Sequence, residues 1–330
     1  MFFRRAVGLL KESGHDVLCT SRMYREAIEL AKLKQLDMTI IGSHGGAERY
    51  DKLIESASRT LDLAKVVRQF LPDISLSFSS PEGARVAFGL GITHLAFNDS
   101  PHAQAVAKLT IPLTNKLFCP WVIPYSAWIG YGITRRNIWR YRALDPAAWL
   151  KHTETQEDIL SEGNAILIRL EESKASYIVD NKLGTRKMVD DFVHELSDSA
   201  TIMVLCRYQD QIAEIESRYE KKVKVLKHVV DGTSLLKNVQ LFVGAGGTMT
   251  AEAALLGKPT ISITPFHYHV EKFLIRNGLV KKATDSKMFI KLGRKLIADK
   301  KYRQAQKKRA LRMLAGMEDP TARMMSAILS

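Results

Sequence analysis

Little in these 330 residues can form a covalent staple or cross a bilayer. There are three cysteines, Cys19, Cys119 and Cys206, and none has the CxxC or CxH spacing of a disulfide framework or a zinc knuckle. A reducing cytoplasm is the expected home. No run of about 18 uncharged apolar residues occurs, as a spanning helix would need, and the most apolar stretch, Leu117 to Ile133, is broken by Pro120, Pro124, Gly130 and Gly132. The opening Met1-Phe2-Phe3-Arg4-Arg5 is basic but leads into no long apolar core or small-residue cleavage site, which excludes a signal peptide. Short internal repeats and low-complexity tracts are missing too. Acid is scarce near the end, where the cations from Lys281 to Arg312 face only Asp285 and Asp299.

What is present describes a globular chain. Apolar residues make up 46% and charged residues 25%, enough to bury a sizeable core, and the length fits two domains of ordinary size. A net charge of +14 and a pI near 9.6 imply attraction to something anionic. For the basic terminal helices two readings stand: a solvated surface, or a dock for anionic membrane at the inner face.

Hydrophobic periodicity gives the organisation. Residues 2–13 read as an amphipathic helix stopped by Gly14, with a short strand from Asp16 to Thr20. A parallel sheet normally leads with a strand that the next helix covers, so a first strand is expected to be missing upstream of Met1. Helix 22–34, strand 37–41, helix 51–70, strand Asp73 to Phe78, helix 81–89 and strand His94 to Phe97 follow. From about 118 to 150 the rhythm lapses into Pro, Trp, Tyr and Arg, which reads as a domain junction with linker packing. A second series starts with strand Ala165 to Leu170 and runs through strands Thr201 to Leu205, Val223 to Leu226, Val239 to Val243 and Pro259 to Ile263. Strands alternating with helices of ten or more residues mean βαβ units. The expected fold is α/β, two Rossmann-like parallel-sheet domains facing a cleft, an amino-terminal one over 1–145 and a carboxy-terminal one over 146–330.

The most informative stretch is VQLFVGAGGTMTAEAALLGKP, residues 239–259. A buried apolar strand ends in glycines and a helix of good formers starts at once. Glycine lets the backbone turn sharply and approach a ligand closely, and the free amides and dipole of the helix's amino end attract an anion. Gly244, Gly246 and Gly247 therefore point to phosphate. Thr248 or Thr250 caps the helix or bonds a phosphate oxygen. Glu252 accepts from sugar hydroxyls, or merely favours the helix dipole. The run is neither the G-x-G-x-x-G fingerprint nor the Lys-bearing P-loop.

That run resembles the loop-helix of GT-B glycosyltransferases, such as the peptidoglycan N-acetylglucosaminyltransferase, and of UDP-N-acetylglucosamine 2-epimerases. The resemblance implies that Gly246 and Gly247 serve a diphosphate and Glu252 the ribose, with no bound metal or cofactor and a nucleotide-sugar as substrate. The whole chain is similar to an uncharacterised prokaryotic GT-B-like family of unknown function. The marks are Gly14-His15-Asp16-Val17, His44-Gly45-Gly46, Phe97-Asn98-Asp99, Cys206-Arg207-Tyr208-Gln209-Asp210-Gln211, Val230-Asp231-Gly232 and the glycine loop. The resemblance places Val230 and Asp231 where relatives read the base; a cap by Asp231 explains them equally well.

In the amino half, strand ends bring His44, Ser79, Ser80, Asn98, Asp99 and His102 into consideration, and Asp99 or His102 is the candidate base for an acceptor hydroxyl. Arg207 follows a strand directly and either pairs with phosphate or bridges Asp210 or Glu214. His267 and His269 have no carboxylate or cysteine beside them except Glu271, so no metal site is expected. The basic aromatic run Trp128 to Trp149 lacks a nucleic-acid-reading motif, and nucleic acid is not the expected partner. The leading expectation is a metal-independent, inverting glycosyltransferase with a UDP-sugar donor and an unknown acceptor, for which a lipid-linked molecule is one candidate. The alternatives are a 2-epimerase, against which Arg207-Tyr208 and Ser79-Ser80 stand where epimerases place a histidine and an acid, and a binder without catalysis.

Overall fold

The computed structural model describes residues 1–46, 48–153, 165–170, 182–206 and 209–329. Two compact units divide the chain. The first holds Met1–Ala148 and the terminal segment from Glu318; the second runs from Trp149 to Met317. Among the described residues no helix is long and apolar enough to cross a membrane.

The first unit opens with α1 (Arg4–Glu12), β1 (Thr20–Met23), α2 (Arg25–Leu33), β2 (Thr39–Ser43), α3 (Arg49–Phe70), β3 (Ile74–Ser77), α4 (Pro81–Gly89) and β4 (Thr93–Phe97). Helix α4 shows why such elements start where they do: Ser80 accepts from the Gly83 amide and Pro81 occupies the first turn, where its missing N–H costs nothing. Then come α5 (Gln104–Thr110), β5 (Lys116–Pro120), α6 (Ser126–Ile129), β6 (Ile138–Tyr141) and α7 (Ala147–Leu150). Strands β3, β4, β5 and β6 form a parallel sheet in that order. The expected junction around 118–150 is therefore part of the core. Trp128 is fully buried and packs with Ala96, Leu117, Cys119, Ile123 and Ile138. β5 is buried along nearly its whole length and β6 has only its two ends buried, and two strands this short, joined through prolines and glycines, carry too few residues to announce a period.

Strands β1 and β2 pair only with each other, in parallel, with a slip in register between Ser21 and Met23. What fastens them to the rest of the unit is side chains. Arg59 on α3 donates from Nε to the Ile41 carbonyl at 2.9 Å and from Nη1 to Glu82 Oε2 on α4 at 2.8 Å. Ile41, Leu63 and Val86 close an apolar cluster beside that pair.

The second unit comprises β7 (Ala165–Arg169), α8 (Lys182–Leu196), β8 (Thr201–Leu205), α9 (Gln209–Tyr219), β9 (Lys224–Leu226), α10 (Gly232–Lys237), β10 (Leu241–Gly244), α11 (Thr248–Leu255), β11 (Thr260–Ser262), α12 (His269–Arg276), β12 (Lys281–Lys282), α13 (Ser286–Ala298) and α14 (Lys300–Ala315). One parallel sheet orders its strands β12-β11-β10-β7-β8-β9. The chain thus builds outward from β7 on one side, then returns to lay β10 against the other side, Leu241 opposite Ile166 and Gly244 opposite Arg169. The strand order reverses between β7 and β10, the place where open α/β sheets bind ligands. The last helix, α15 (Pro320–Ile328), belongs with the first unit and not, as the 146–330 division expects, with the second: Asp319 at its cap takes Arg5 of α1 at 2.6 Å.

Candidate functional site

The glycine loop sits on the returning strand at that reversal. All of β10 is buried, and a β-carbon on Gly244 would collide with the Thr250 hydroxyl and the Phe242 ring, so only glycine ends this strand. Gly246 and Gly247 take φ of +88° and +81°, and Gly247, with ψ of −171°, lies in a region essentially reserved to glycine that costs other residues about 1–3 kcal/mol. Gly247 is the cap residue of α11, and no side chain bonds the helix's first amides. Gly247 and Thr248 are exposed, and no atom lies within 4 Å of where a β-carbon on Gly247 would stand. The amino end of α11 is open, uncapped and free of acid in its first turn, which is what a phosphate group requires.

Thr250 turns the other way. It is buried, and its hydroxyl donates to the Gly246 carbonyl at 3.0 Å, locking the turn rather than offering a donor to phosphate. Glu252 is also buried, on the second turn of α11. Its Oε1 accepts from Trp149 Nε1 at 2.9 Å and from the Thr233 hydroxyl, while Oε2 lies toward Gly232, 3.7 Å from the position of a β-carbon there. Burial pushes the Glu252 carboxyl above its ordinary value, and the bonds from Thr233 and Trp149 pull against that. Val230 and Asp231 are half-buried just before α10. Asp231 stands at the cap position of α10 without a side-chain bond to its amides, and takes Ser234 Oγ at 2.6 Å. Arg207 lies outside the described residues.

Trp149, Thr233 and Tyr268 complete this site and went unread in the sequence. The Tyr268 ring walls the turn, 3.0 Å from where a Gly246 β-carbon would be, and stacks beside Phe266 at 5.8 Å. A buried network holds that aromatic loop: Lys282 Nζ donates to the Phe266 carbonyl and to Glu271 Oε2 at 3.3 Å, and Ser262 donates to Glu271 Oε1. The only signal for Trp149 was an aromatic next to a supposed linker, and for Thr233 a hydroxyl near a helix start.

In the first unit, Asp99 follows β4. Ser100 donates its amide to Asn98 Oδ1 and its hydroxyl to Asp99 Oδ1, both at 2.7 Å, so the turn is pinned by its own side chains. Asp145, four residues beyond β6, was not foreseen. It is buried and accepts from the Tyr141 hydroxyl. Burial pushes both carboxyls up, and the Asp99 charge pushes Asp145 well above the ordinary carboxylate range. His102 sits half-buried on the same loop, where Tyr131 donates to the neighbouring Pro101 carbonyl at 2.7 Å. His44 follows β2, on the separate sheet, stacked on Tyr24 at 5.4 Å with Nδ1 accepting from the Gly46 amide at 3.1 Å. The serines that stand where the resemblance places an epimerase acid are structural: Ser79 donates to the Phe97 carbonyl at 3.1 Å and Ser80 caps α4.

Known proteins share this architecture. A UDP-GlcNAc 2-epimerase from Neisseria meningitidis, solved with UDP-GlcNAc, superposes with a TM-score of 0.72 at 14% identity, over 99% of this chain and 96% of that one. MurG of Acinetobacter baumannii gives 0.54 at 13% identity, over 98% and 93%. At such identities the likeness is one of fold, and the chain has the two-domain GT-B-like α/β fold with parallel sheets. An uncharacterised protein of Methanocaldococcus jannaschii, MJ0665, is 27% identical over 303 residues, 88% of this chain and 86% of the relative. The profile of a family described as protein of unknown function (DUF354) matches residues 1–329, and the chain belongs to that family.

Proposed function

We propose that the protein is an enzyme of nucleotide-sugar chemistry, a metal-independent glycosyltransferase whose second unit holds a UDP-sugar. The observation that carries this reading is the uncapped amino end of α11 at the point where the strand order reverses. There the amides beyond Gly247 take the diphosphate and stabilise it as it leaves, a fixed dipole aimed at developing charge. Glu252, oriented by Trp149 and Thr233, offers Oε2 to the ribose hydroxyls. Val230 and Asp231 line the base. The acceptor hydroxyl gives its proton to Asp99, its oxygen bonds the anomeric carbon, and the bond from that carbon to the diphosphate oxygen breaks with its electron pair going to UDP.

The surface of α13 and α14 supports a lipid-linked acceptor. Lys287, Lys291, Lys295, Lys300, Lys301 and Lys308 are exposed, while Asp285 and Asp299 are committed as helix caps to the Met288 and Tyr302 amides. Such a face is drawn to anionic headgroups.

A second reading, epimerisation at the sugar, has the higher TM-score of the epimerase in its favour, 0.72 against 0.54 for MurG. The structural roles of Ser79 and Ser80 weigh against it. Calorimetry with UDP tests the shared part: binding is expected, and Glu252→Ala should weaken it about tenfold, roughly 1.4 kcal/mol. No binding at millimolar UDP overturns the proposal. Incubation with UDP-GlcNAc alone then separates the readings: isomerisation of the sugar establishes the epimerase, and UDP release that depends on an added acceptor establishes the transferase.

A further inference from the structure

The first unit holds a group that the family resemblance does not supply. Asp145 is 4% exposed. Its Oδ1 accepts from Tyr141, and its Oδ2 is buried with no hydrogen-bond donor among the described residues. The carboxyl of Asp99 is in hydrogen-bonding reach of Asp145, and it is itself an acceptor unless a proton intervenes. Leaving a buried carboxylate oxygen unpaired against a second carboxylate is the costliest arrangement available, and a shared proton removes the cost. Asp99 is half-buried as a residue, with its carboxyl enclosed.

We propose that Asp99 and Asp145 carry one proton between them, held on Asp145 and donated to Asp99, so that Asp145 is a positioning residue that keeps the pair singly charged and leaves Asp99 as its base. Tyr141 occupies Oδ1 of Asp145, which leaves Oδ2 to carry the shared proton. Burial keeps that phenol far above its ordinary value, so it remains a donor. Of the other groups facing the pair, Ser100 donates to Asp99, and the Cys119 thiol, pushed up to about 12 by burial, stays neutral. Arg140 acts on Cys119 and stacks over Tyr125 at 4.0 Å. Among the described residues no cation pairs with either carboxylate, so two negative charges have nothing to hold them, and the pair titrates as a unit. When Asp99 accepts a proton from a hydroxyl the pair goes from one negative charge to none, and Asp145 keeps its own proton throughout.

The role of Asp99 as base rests on the proposed transferase; the shared proton does not, and the test reads it without substrate. Infrared spectra of the full chain with isotope-labelled aspartate count protonated carboxyls at neutral pH. The wild type is expected to show one. Asp145→Asn, whose amide still accepts from Tyr141 and donates to Asp99, should abolish it, with circular dichroism reporting an intact fold. Asp99→Asn should keep it but lower the pH at which it ionises by about one unit or more, because the repelling charge is gone. No protonated carboxyl in the wild type, or one that survives in Asp145→Asn, overturns the proposal. If turnover of UDP-sugars is absent while the carboxyl signal behaves as expected, the transferase falls and the pair stands.

Discussion

The two units solve one folding problem in different ways. The second lays six strands into one ladder with its first strand, β7, in the middle, flanked by β8 on one side and β10 on the other. The first falls into β1 with β2, and β3 through β6, with no ladder between the sets among the described residues. A central strand of the β7 kind has no counterpart there. The consequence is that the proposed ligand corner in the second unit is made by backbone, at a strand reversal, whereas the candidate site in the first is made by side chains, Asp99 and Asp145, beyond the ends of β4 and β6.

If side chains replace a ladder in the first unit, breaking them should have the largest effect. Arg59 and Glu82 are each about one-tenth exposed at the side chain, and Arg59 also carries the Ile41 carbonyl. Arg59→Met leaves the Glu82 carboxylate buried without its cation, held by the Ser56 and Ser80 hydroxyls and its own backbone amide, and the expected loss is about 3–5 kcal/mol. Hydrogen exchange should show protection collapsing over β1, β2 and α3 while β7, β8 and β10 keep theirs. Equal loss in both units would mean that they unfold as one body and that the contrast has no energetic content.

The next effect concerns acid. His94 on β4 is fully buried between Ser75 at Nδ1 and Ser77 at Nε2, 3.0 and 3.1 Å away, and burial lowers it from the ordinary 6.5 to about 4. A depressed base stabilises the fold above the unfolded value, and that stability drains as pH falls from 6.5 toward 4, because the unfolded chain takes a proton that the folded one refuses. The loss is roughly 3 kcal/mol at about 1.4 kcal/mol per unit. Asp99 and Asp145 pull the opposite way, since raised carboxyls keep protons in the fold and favour lower pH. The measurement is therefore a difference: urea melts of wild type and His94→Gln, with the wild type losing ground to the variant on acidification. A difference that does not change with pH removes His94 as a sensor.

The contrast also explains what the sequence disclosed. The glycine loop was legible because backbone sites leave a composition: an apolar strand, glycines, a helix of good formers. Most of the strands in both units were readable from their spacing, to within two or three residues at most ends. β5 and β6 were not, since Lys116 to Pro120 and Ile138 to Tyr141 are short and surrounded by residues that otherwise mark linkers. Asp145 was invisible for a related reason. Its meaning comes from Asp99, 46 positions away and brought near only by the pairing of β4, β5 and β6. The part of Thr250 stayed open between cap and phosphate contact because a threonine in a first turn gives no sign of which way its hydroxyl points; in the structure it points to the Gly246 carbonyl.

The smallest expected effect is the sharpest test of a backbone site. Gly247→Ala places a methyl where no atom lies within 4 Å, so nothing is displaced and the cost to folding is backbone strain alone, about 1–3 kcal/mol for φ +81° with ψ −171°, a region essentially reserved to glycine. Gly246→Ala carries the strain of its own positive φ plus contact with the Tyr268 ring at 3.0 Å, and should cost more. For UDP the order reverses. The methyl at Gly247 stands at the exposed cap of α11, in the space a diphosphate would use to reach the free amides, so this variant should lose more affinity than stability. Paired calorimetry and urea melts decide it: if Gly247→Ala binds UDP as tightly as wild type, the amides of α11 are not the contact, and the second unit's claim to the ligand has to rest on Glu252 and its partners instead.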